Sequence, residues 1–268
     1  MKEEWKKVQI NFVQRCLEKG MTRFSIAKAY RERFGSYRSV DSIKHCIDNH
    51  CSEVPEYTPK VLVFDIETAP MSLYGFGLYD QNFSINQMIE DSFILSWSAK
   101  WLGSDEVLYA DQRNKKGKAL MNDKTLVKKL LKLINEADIV LGQNSNSFDI
   151  KVINFRIGVH RLPELNSFGK LDTKVIAKRH MKLPSYSLEY MSQRFNKKYF
   201  KSNHPEFSGF ALHRECMNGN IRAFNSMDKY NRLDVLATEE LFVDTLSKFD
   251  KSKLVKRAMD SYNKIKNK

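Results

Sequence analysis

The fold class is decided by a stretch that reads Val61-Leu62-Val63-Phe64-Asp65-Ile66-Glu67-Thr68. Its apolar run predicts a buried strand, and because side chains alternate along a strand, Asp65 and Glu67 lie on the same face. Two carboxylates at the end of a buried strand repel each other and lose hydration, so they need a compensating cation. A ligand set made of oxygen atoms favours magnesium or manganese.

Downstream of this strand, the pattern alternates between strands and helices. Residues 93–101 and 106–110 predict two closely spaced antiparallel strands, and residues 139–141 predict a further short strand. An amphipathic helix is predicted over residues 120–137 and a long helix over residues 222–246. This order predicts an α/β domain with a mixed sheet flanked by helices.

Upstream of the strand, residues 1–52 predict three short helices. Glycines are expected to end the first two helices, and hydroxyl side chains are expected to cap the second and third. In chain order these signals are Gly20, Thr22, Gly35 and Ser39. Residues 52–60 contain two prolines and predict a linker between two domains.

The composition is that of a folded globular protein. The 268 residues are 42% hydrophobic and 29% charged, which argues against a disordered or fibrous chain. The apolar runs are far shorter than the ~18 to 20 residues that cross a bilayer, and the polar first residues do not resemble a signal peptide. We therefore expect no membrane association and a cytoplasmic location. The four cysteines form no C-x-x-C pair, and the segment from His45 to Cys51 matches no complete zinc pattern.

The charge balance is strongly basic, with a net charge of +13 at pH 7. Residues 174–204 carry eight basic and one acidic residue, and residues 245–268 carry eight basic and two acidic residues. A polyanion such as nucleic acid is one partner that this excess fits, and a lysine-rich solvated surface explains it equally well.

Two further acidic positions complete the candidate site. Asp149 follows the strand at residues 139–141 in the segment Asn144-Ser145-Asn146-Ser147-Phe148-Asp149, where an α/β sheet presents ligand-binding groups. Tyr230 and Asp234 are spaced i, i+4 and so share a helix face. Taken singly, Asp149 is equally a favourable helix N-terminal residue and Tyr230–Asp234 an ordinary surface pair.

Together these segments resemble a known family. In order and spacing, Asp65-x-Glu67, Asn144-x-x-x-Phe148-Asp149 and Tyr230-x-x-x-Asp234 are similar to the three motifs of the DEDDy branch of the DnaQ-like 3′ to 5′ exonucleases. Asp172-Thr173 and Ser187-Leu188 resemble secondary landmarks of that superfamily. The resemblance is greatest to phage proteins related to the family B DNA polymerase exonuclease domain, and residues 1–55 resemble helix-turn-helix segments appended to phage nucleases.

The resemblance implies a ribonuclease H-like fold and hydrolysis of phosphodiester bonds with two divalent metal ions, Mg²⁺ or Mn²⁺. It implies Asp65, Glu67, Asp149 and Asp234 as metal ligands and Tyr230 as the group that orients or deprotonates the attacking water. The histidine branch is disfavoured, because His213 is too distant in sequence to take the place of Tyr230 within its motif. Residues 56–247 would form the exonuclease domain. Residues 248–268 would form a basic C-terminal tail, expected as a solvated helix, with nonspecific phosphate contact as its functional alternative.

Several segments are candidates for binding the substrate. Phe148 is expected to contact the nucleotide, and Asn144 either to contact it or to support Asp149. Residues 174–201 are expected to guide the strand. The aromatic segment at residues 71–79 either stacks on unwound bases or packs on its own domain. In the N-terminal domain, the residues expected near the leading edge of the third helix are Arg38, Ser39, Ser42 and Lys44. That domain could equally dock a protein or act as a structural cap.

The sequence therefore predicts a metal-dependent 3′ to 5′ exonuclease acting on single-stranded DNA ends, with duplex DNA as a partner of the N-terminal domain. A separate DNA polymerase is a further candidate partner, and a viral origin would place the protein in the host cytoplasm. An RNA exonuclease is the alternative enzyme, and a noncatalytic DNA-binding protein with a nuclease-like scaffold is the alternative of a different class.

Overall fold

The structure is a computed structural model that describes residues 5–21, 23–51, 58–77, 79–201, 206–207 and 209–267. Its contacts divide the chain into two compact units, Met1–Pro59 and Lys60–Lys268. The predicted cap Thr22 and most of the predicted linker lie outside the described residues.

The N-terminal unit contains three helices, α1 (Lys7–Glu18), α2 (Arg23–Phe34) and α3 (Val40–His50). Gly20 and Gly35 adopt the left-handed backbone conformation that ends the first two helices, as predicted, with φ of 68° and 64°. The Ser39 hydroxyl accepts a hydrogen bond of 3.1 Å from the backbone N–H of Ser42, which confirms the predicted cap of α3. The buried residues at the centre of this unit are Val13, Cys16, Ile26, Tyr30, Ile43 and Cys46.

The larger unit is built on a mixed sheet. Its strands are β1 (Val61–Thr68), β2 (Ser72–Leu73), β3 (Met88–Glu90), β4 (Ile94–Trp101), β5 (Leu108–Asp111), β6 (Ile139–Gly142) and β7 (Gly169–Asp172). In the described residues, five of these strands form one sheet in the order β5-β4-β1-β6-β7. β1 pairs antiparallel with β4 and parallel with β6, so it lies at the centre of the sheet. The strands β2 and β3 form a separate pair.

Helices cover both faces of this sheet. They are α4 (Lys124–Glu136), α5 (Asp149–His160), α6 (Thr173–His180), α7 (Leu188–Phe195), α8 (Ala211–Met217), α9 (Ile221–Glu240) and α10 (Lys253–Lys266). Alternate residues of β1 enter two different cores. Leu62 and Phe64 pack with α4 and α5, whereas Val61 and Val63 pack with α6, α7, α9 and α10. A mixed sheet flanked by helices in this order is consistent with the ribonuclease H-like fold expected from the sequence.

Three elements differ from the sequence-based prediction. The long helix expected over residues 222–246 ends as an α-helix at Glu240 and continues as a π-helical turn over Leu241–Thr245. The helix expected from residue 120 begins at Lys124, because residues 117–119 form a 3-10 turn and the carboxylate of Asp123 bonds to the backbone N–H of Ile94 and to Arg156. The C-terminal segment forms a helix as expected, α10, but the helix is not solvated on all sides, because it buries one face, with Val255 2% exposed. Its apolar positions recur at helical spacing, so the helix packs against the core while its lysines face solvent.

In the described part of the chain, no helix has both the length and the apolar character needed to cross a membrane.

Candidate active site

The site begins at the C-terminal end of β1, where Asp65 and Glu67 share the face that Val61 and Val63 occupy in the core. Their partners in the register with β4 are small, since Asp65 lies opposite Ser98 and Glu67 lies opposite Ser96. Small side chains on the neighbouring strand leave room above this face, and both carboxylates are half-buried there.

The helix α9 brings Asp234 to the same place. Ligand oxygens of Asp65, Glu67 and Asp234 all lie within 4.8 Å of one another, so three of the four predicted acidic residues form one cluster. The Asp234 side chain is almost completely buried, at 2% exposure for the residue. One turn earlier on the same helix, Tyr230 is half-buried beside this cluster, and the charge of Asp234 acts on its phenol.

The fourth acidic residue, Asp149, is the first residue of α5 and is buried. One of its oxygens, Oδ1, accepts a hydrogen bond of 3.1 Å from the backbone N–H of Ile66, between the two acidic residues of β1. Its charge raises the pKa of Asp65. The structure therefore brings all four predicted carboxylates into one region, with Asp149 just outside the three-residue cluster.

The hydrogen bonds at these carboxylates follow a common pattern, in which a donor holds one oxygen of each group. Asn231 Nδ2 donates to Asp65 Oδ2 at 2.6 Å, and Lys201 Nζ contacts Asp234 Oδ2 at 2.5 Å. His213 Nε2 lies 3.2 Å from Glu67 Oε2. The other oxygen of Asp234, Oδ1, is buried and has no hydrogen-bond partner among the described residues.

Burial and mutual repulsion raise the pKa values of the three aspartates of the site, Asp65, Asp149 and Asp234. The pKa of Asp65 lies well above its usual value because of burial and because of the charges of Asp149, Asp234 and Glu67. Burial raises the pKa of Asp149 to about 7 and that of Asp234 to about 6, although the Lys201 ammonium opposes the shift at Asp234. Such a group of carboxylates in one partly buried place is stabilised by a cation.

A divalent metal ion fits this set of residues. The donors are carboxylate oxygens, which are the ligands that magnesium and manganese prefer. The buried Oδ1 of Asp234 has no partner that would compete with an ion. Among the described residues, the acidic cluster is the one group of three or more potential metal ligands. The histidines and cysteines at residues 45–51 do not form a second group of this kind.

The structure adds Lys201 to the site, a residue that sequence reasoning included only in a general strand-guiding stretch. Its ammonium contacts Asp234 and lies 4.4 Å from the centre of the Tyr230 ring. Burial alone would lower the pKa of Lys201, but the charge of Asp234 and the hydrogen bonds to Asp234 and Tyr230 outweigh it and raise the pKa. The site therefore already contains one cation that faces both groups of the third motif.

The segment that carries Lys201 is fastened to α9. The Glu240 carboxylate accepts hydrogen bonds from three consecutive backbone N–H groups, those of residues 197–199. Asn196 Nδ2 donates to the carbonyl oxygen of Ala237 at 2.9 Å. The helix that carries Tyr230 and Asp234 therefore also fixes the backbone that leads to Lys201.

Two more residues of the site have no recognisable sequence signal. Asn231 is buried beside Asp65, and it follows Tyr230 directly in the third motif. His213 comes from α8 and reaches Glu67 rather than the position of Tyr230. Sequence reasoning considered His213 only as a substitute for the tyrosine, because sequence distance gives no indication of a contact between residues 146 positions apart.

The loop between β6 and α5 carries the two predicted nucleotide contacts. Asn144 has a left-handed backbone with φ of 60°, and Phe148 keeps 42% of its surface exposed. The buried carboxylate of Asp172 fixes the loop by accepting hydrogen bonds from the backbone N–H groups of Asn144 and Asn146, each at 3.0 Å. A Cβ atom on Gly142 would lie 2.6 Å from that of Ser145, so the close turn requires glycine there.

The aromatic segment after β1 is exposed. Tyr74, Phe76 and Tyr79 are 73%, 101% and 83% exposed. These three side chains are therefore not packed on their own domain, which was one of the two interpretations of residues 71–79. Hydrogen bonds of 2.8 and 3.1 Å between residues 74 and 87 hold the base of the segment.

The predicted DNA contacts of the N-terminal unit differ in their surroundings. The Arg38 guanidinium lies 4.6 Å from the centre of the Trp5 ring, and the backbone of Ser42 is engaged by the cap of α3. Lys44 is exposed on α3. Arg38 and Ser42 therefore take part in the structure of this unit, whereas Lys44 is available at its surface.

Comparisons with known proteins were made for the sequence and for the backbone. Neither a protein-family model nor a curated protein matches the sequence. Among solved structures, the backbone is similar to the family B DNA polymerase from the hyperthermophilic archaeon Pyrobaculum calidifontis, with a TM-score of 0.48 and 16% identity. The similarity covers 78% of this chain and 28% of the polymerase chain, so this protein spans well under half of that length.

Proposed function

We propose that the protein is a metal-dependent 3′ to 5′ exonuclease that hydrolyses phosphodiester bonds at the ends of single-stranded DNA. The observation that carries the proposal is the convergence of Asp65, Glu67, Asp149 and Asp234, from three separate parts of the chain, beside the phenol of Tyr230. Their order along the chain and their spacing are those of the exonuclease motifs described above.

The four carboxylates of Asp65, Glu67, Asp149 and Asp234 would hold two divalent ions, Mg²⁺ or Mn²⁺. Such ions activate a water molecule for attack on phosphorus and stabilise the charge on the leaving oxygen. The protein contributes the oriented carboxylates. Among the described residues, the donors at Asp65 and Glu67 each occupy one carboxylate oxygen and leave the other for a ligand, and the buried Oδ1 of Asp234 has no hydrogen-bond partner.

Tyr230 would orient the attacking water. Burial, together with the charge of Asp234, raises the pKa of its phenol, so the group stays protonated at neutral pH and donates a hydrogen bond. Lys201 lies across the same ring and offers a cation that can face a phosphate oxygen of the substrate. We therefore assign orientation of water to Tyr230 and electrostatic contact with the substrate to Lys201.

In this proposal, the 3′ end of the substrate lies along exposed side chains outside the acidic cluster, which form the rim of the site. Phe148 and the aromatic side chains of residues 71–79 offer surfaces on which bases stack, and stacking contributes about 1 to 3 kcal/mol per base. Asn144 would contact the terminal nucleotide from the loop that Asp172 fixes. A single strand fits this rim because its bases are free to stack, whereas a duplex keeps its bases paired.

The proposal is tested by digestion of matched oligonucleotides labelled at the 5′ end. With Mg²⁺ or Mn²⁺, we expect a ladder of products shortened from the 3′ end and a faster reaction on single-stranded DNA than on duplex DNA. Faster digestion of matched RNA would favour the RNA exonuclease. No digestion of any oligonucleotide with either ion, in protein that binds DNA, would favour the noncatalytic scaffold.

For the N-terminal unit we propose nonspecific contact with duplex DNA through the surface of α3. Lys44→Ala is expected to weaken duplex binding and to reduce the dependence of log Kd on log salt concentration by about 1, because one phosphate contact is lost. Fluorescence anisotropy over a range of salt concentrations measures both quantities. Lys28→Ala is the matched control, since Lys28 is an exposed lysine on α2. Equal behaviour of the two variants would favour protein docking or a structural role.

A further inference from the structure

We propose that His213 is a positioning residue that fixes the Glu67 carboxylate for metal binding. The inference rests on the proposed metal site and adds a residue to it from a helix that none of the exonuclease motifs includes. His213 lies on α8, and its Nε2 atom is 3.2 Å from Glu67 Oε2.

The chemistry of the two groups determines which of them donates the hydrogen bond. An ionised carboxylate can only accept hydrogen bonds, so the imidazole Nε2–H donates to Oε2. One oxygen of Glu67 is then committed to His213, and the second is left for an ion. A glutamate side chain has three rotatable bonds, so without such a partner its carboxylate samples several orientations. The hydrogen bond selects the orientation in which Glu67 lies within 4.8 Å of Asp65 and Asp234.

The imidazole is presented from a rigid base. On either side of His213, Leu212 and Cys216 are 1% and 0% exposed, and they pack in one core with Phe224 and Met227 of α9. The same helix α9 carries Asp234. The position of His213 is therefore fixed relative to a second ligand of the site.

The other carboxylates support the same interpretation. Asn231 holds Asp65 at 2.6 Å, and the backbone N–H of Ile66 holds Asp149 at 3.1 Å. His213 holds Glu67 in the same way, through a hydrogen bond to one carboxylate oxygen. Metal-binding carboxylates are regularly held by hydrogen bonds of this kind, and loss of such a partner typically reduces metal affinity or activity by about 10 to 100 times.

The test measures Mn²⁺ binding to the full-length protein by calorimetry, in the absence of nucleic acid. His213→Leu is expected to weaken binding about tenfold, because it removes the donor and keeps an apolar side chain of similar size. His213→Gln is expected to restore affinity to within about threefold of wild type, since its amide supplies an N–H group. Rescue by glutamine separates positioning from a merely structural role.

His180→Leu is the matched control. The side chains of His180 and His213 are both 28% exposed, and each histidine faces a carboxylate. Only His213 faces the acidic cluster, so His180→Leu is expected to bind Mn²⁺ like the wild type. Thermal unfolding of all variants without metal verifies that each is folded.

The outcomes separate this inference from the proposed function. Weakened Mn²⁺ binding in His213→Leu, with rescue by glutamine, supports positioning even if no oligonucleotide is hydrolysed. Unchanged affinity in His213→Leu overturns the inference even if the wild type is an active exonuclease. Failure of His213→Gln to restore affinity, or absence of Mn²⁺ binding by the wild type, overturns it as well.

Discussion

Asp234→Asn is expected to reduce kcat for hydrolysis at least about 1,000-fold, while the protein remains folded. Loss of metal-based stabilisation of the transition state costs several kcal/mol, and each 1.36 kcal/mol corresponds to a factor of about ten in rate. Asparagine keeps the shape of the side chain, but it removes the charge that faces Lys201. With the amide oxygen turned to Lys201, an NH₂ group takes the place of the second carboxylate oxygen, and an NH₂ group does not bind a metal ion. Single-turnover digestion of single-stranded DNA with Mg²⁺ measures the effect.

Asp228→Asn is the matched control for this prediction. Asp228 lies on the same helix, and its carboxylate pairs with Arg113 and Arg232 rather than with the acidic cluster. We expect its variant to retain wild-type activity within a few fold. Comparable activity of the Asp234 variant and the wild type would remove Asp234 from the catalytic site and, with it, the proposed mechanism.

Asp65→Asn is expected to make the metal-free protein more stable and to abolish stabilisation by Mn²⁺. The pKa of Asp65 is raised by burial and by three neighbouring carboxylates, so an ionised group here destabilises the fold. If its neutralisation contributes about 1 kcal/mol, the midpoint of thermal unfolding rises by about 3 °C for a domain of this size. Unfolding followed by circular dichroism, in a chelator and in Mn²⁺, measures both effects.

The pH dependence of this effect has a definite sign. Carboxyl groups with raised pKa values bind protons more tightly in the folded than in the unfolded protein, so their contribution favours folding at low pH. It is lost as pH rises from the ordinary value of 3.8 through about 6 for Asp234 and about 7 for Asp149. The stability difference between Asp65→Asn and wild type should therefore grow from pH 4 to pH 8 in chelator. A constant difference, or a less stable variant at pH 8, would contradict the prediction.

The parts of the fold that sequence predicts best are those with a strong local pattern. The strand at Val61–Thr68 has the predicted bounds, since its apolar residues alternate between two cores that each require them. Gly20, Gly35 and Ser39 end or cap their helices as predicted because each effect depends on the backbone within a few residues.

The parts that sequence predicts poorly depend on contacts over long distances in the chain. The start of α4 follows from Asp123, whose carboxylate is taken by Arg156 rather than by its own helix. Lys201 and His213 enter the site from segments without a motif, and their roles appear only when the chain is folded. The burial of α10 likewise depends on the sheet against which its apolar face packs.

The attachment of residues 197–199 to Glu240 has a practical consequence for redesign of this protein. Inserting residues there, or exchanging the glutamate, is expected to shift the lysine that follows at position 201 while leaving the acidic cluster in place. Residues 71–90 offer the opposite situation, since several large side chains in that segment project into solvent and length changes there leave the sheet undisturbed. Chimeras meant to change the proposed substrate preference are therefore best built by exchanging residues 71–90 and keeping the contacts between residues 197–199 and Glu240.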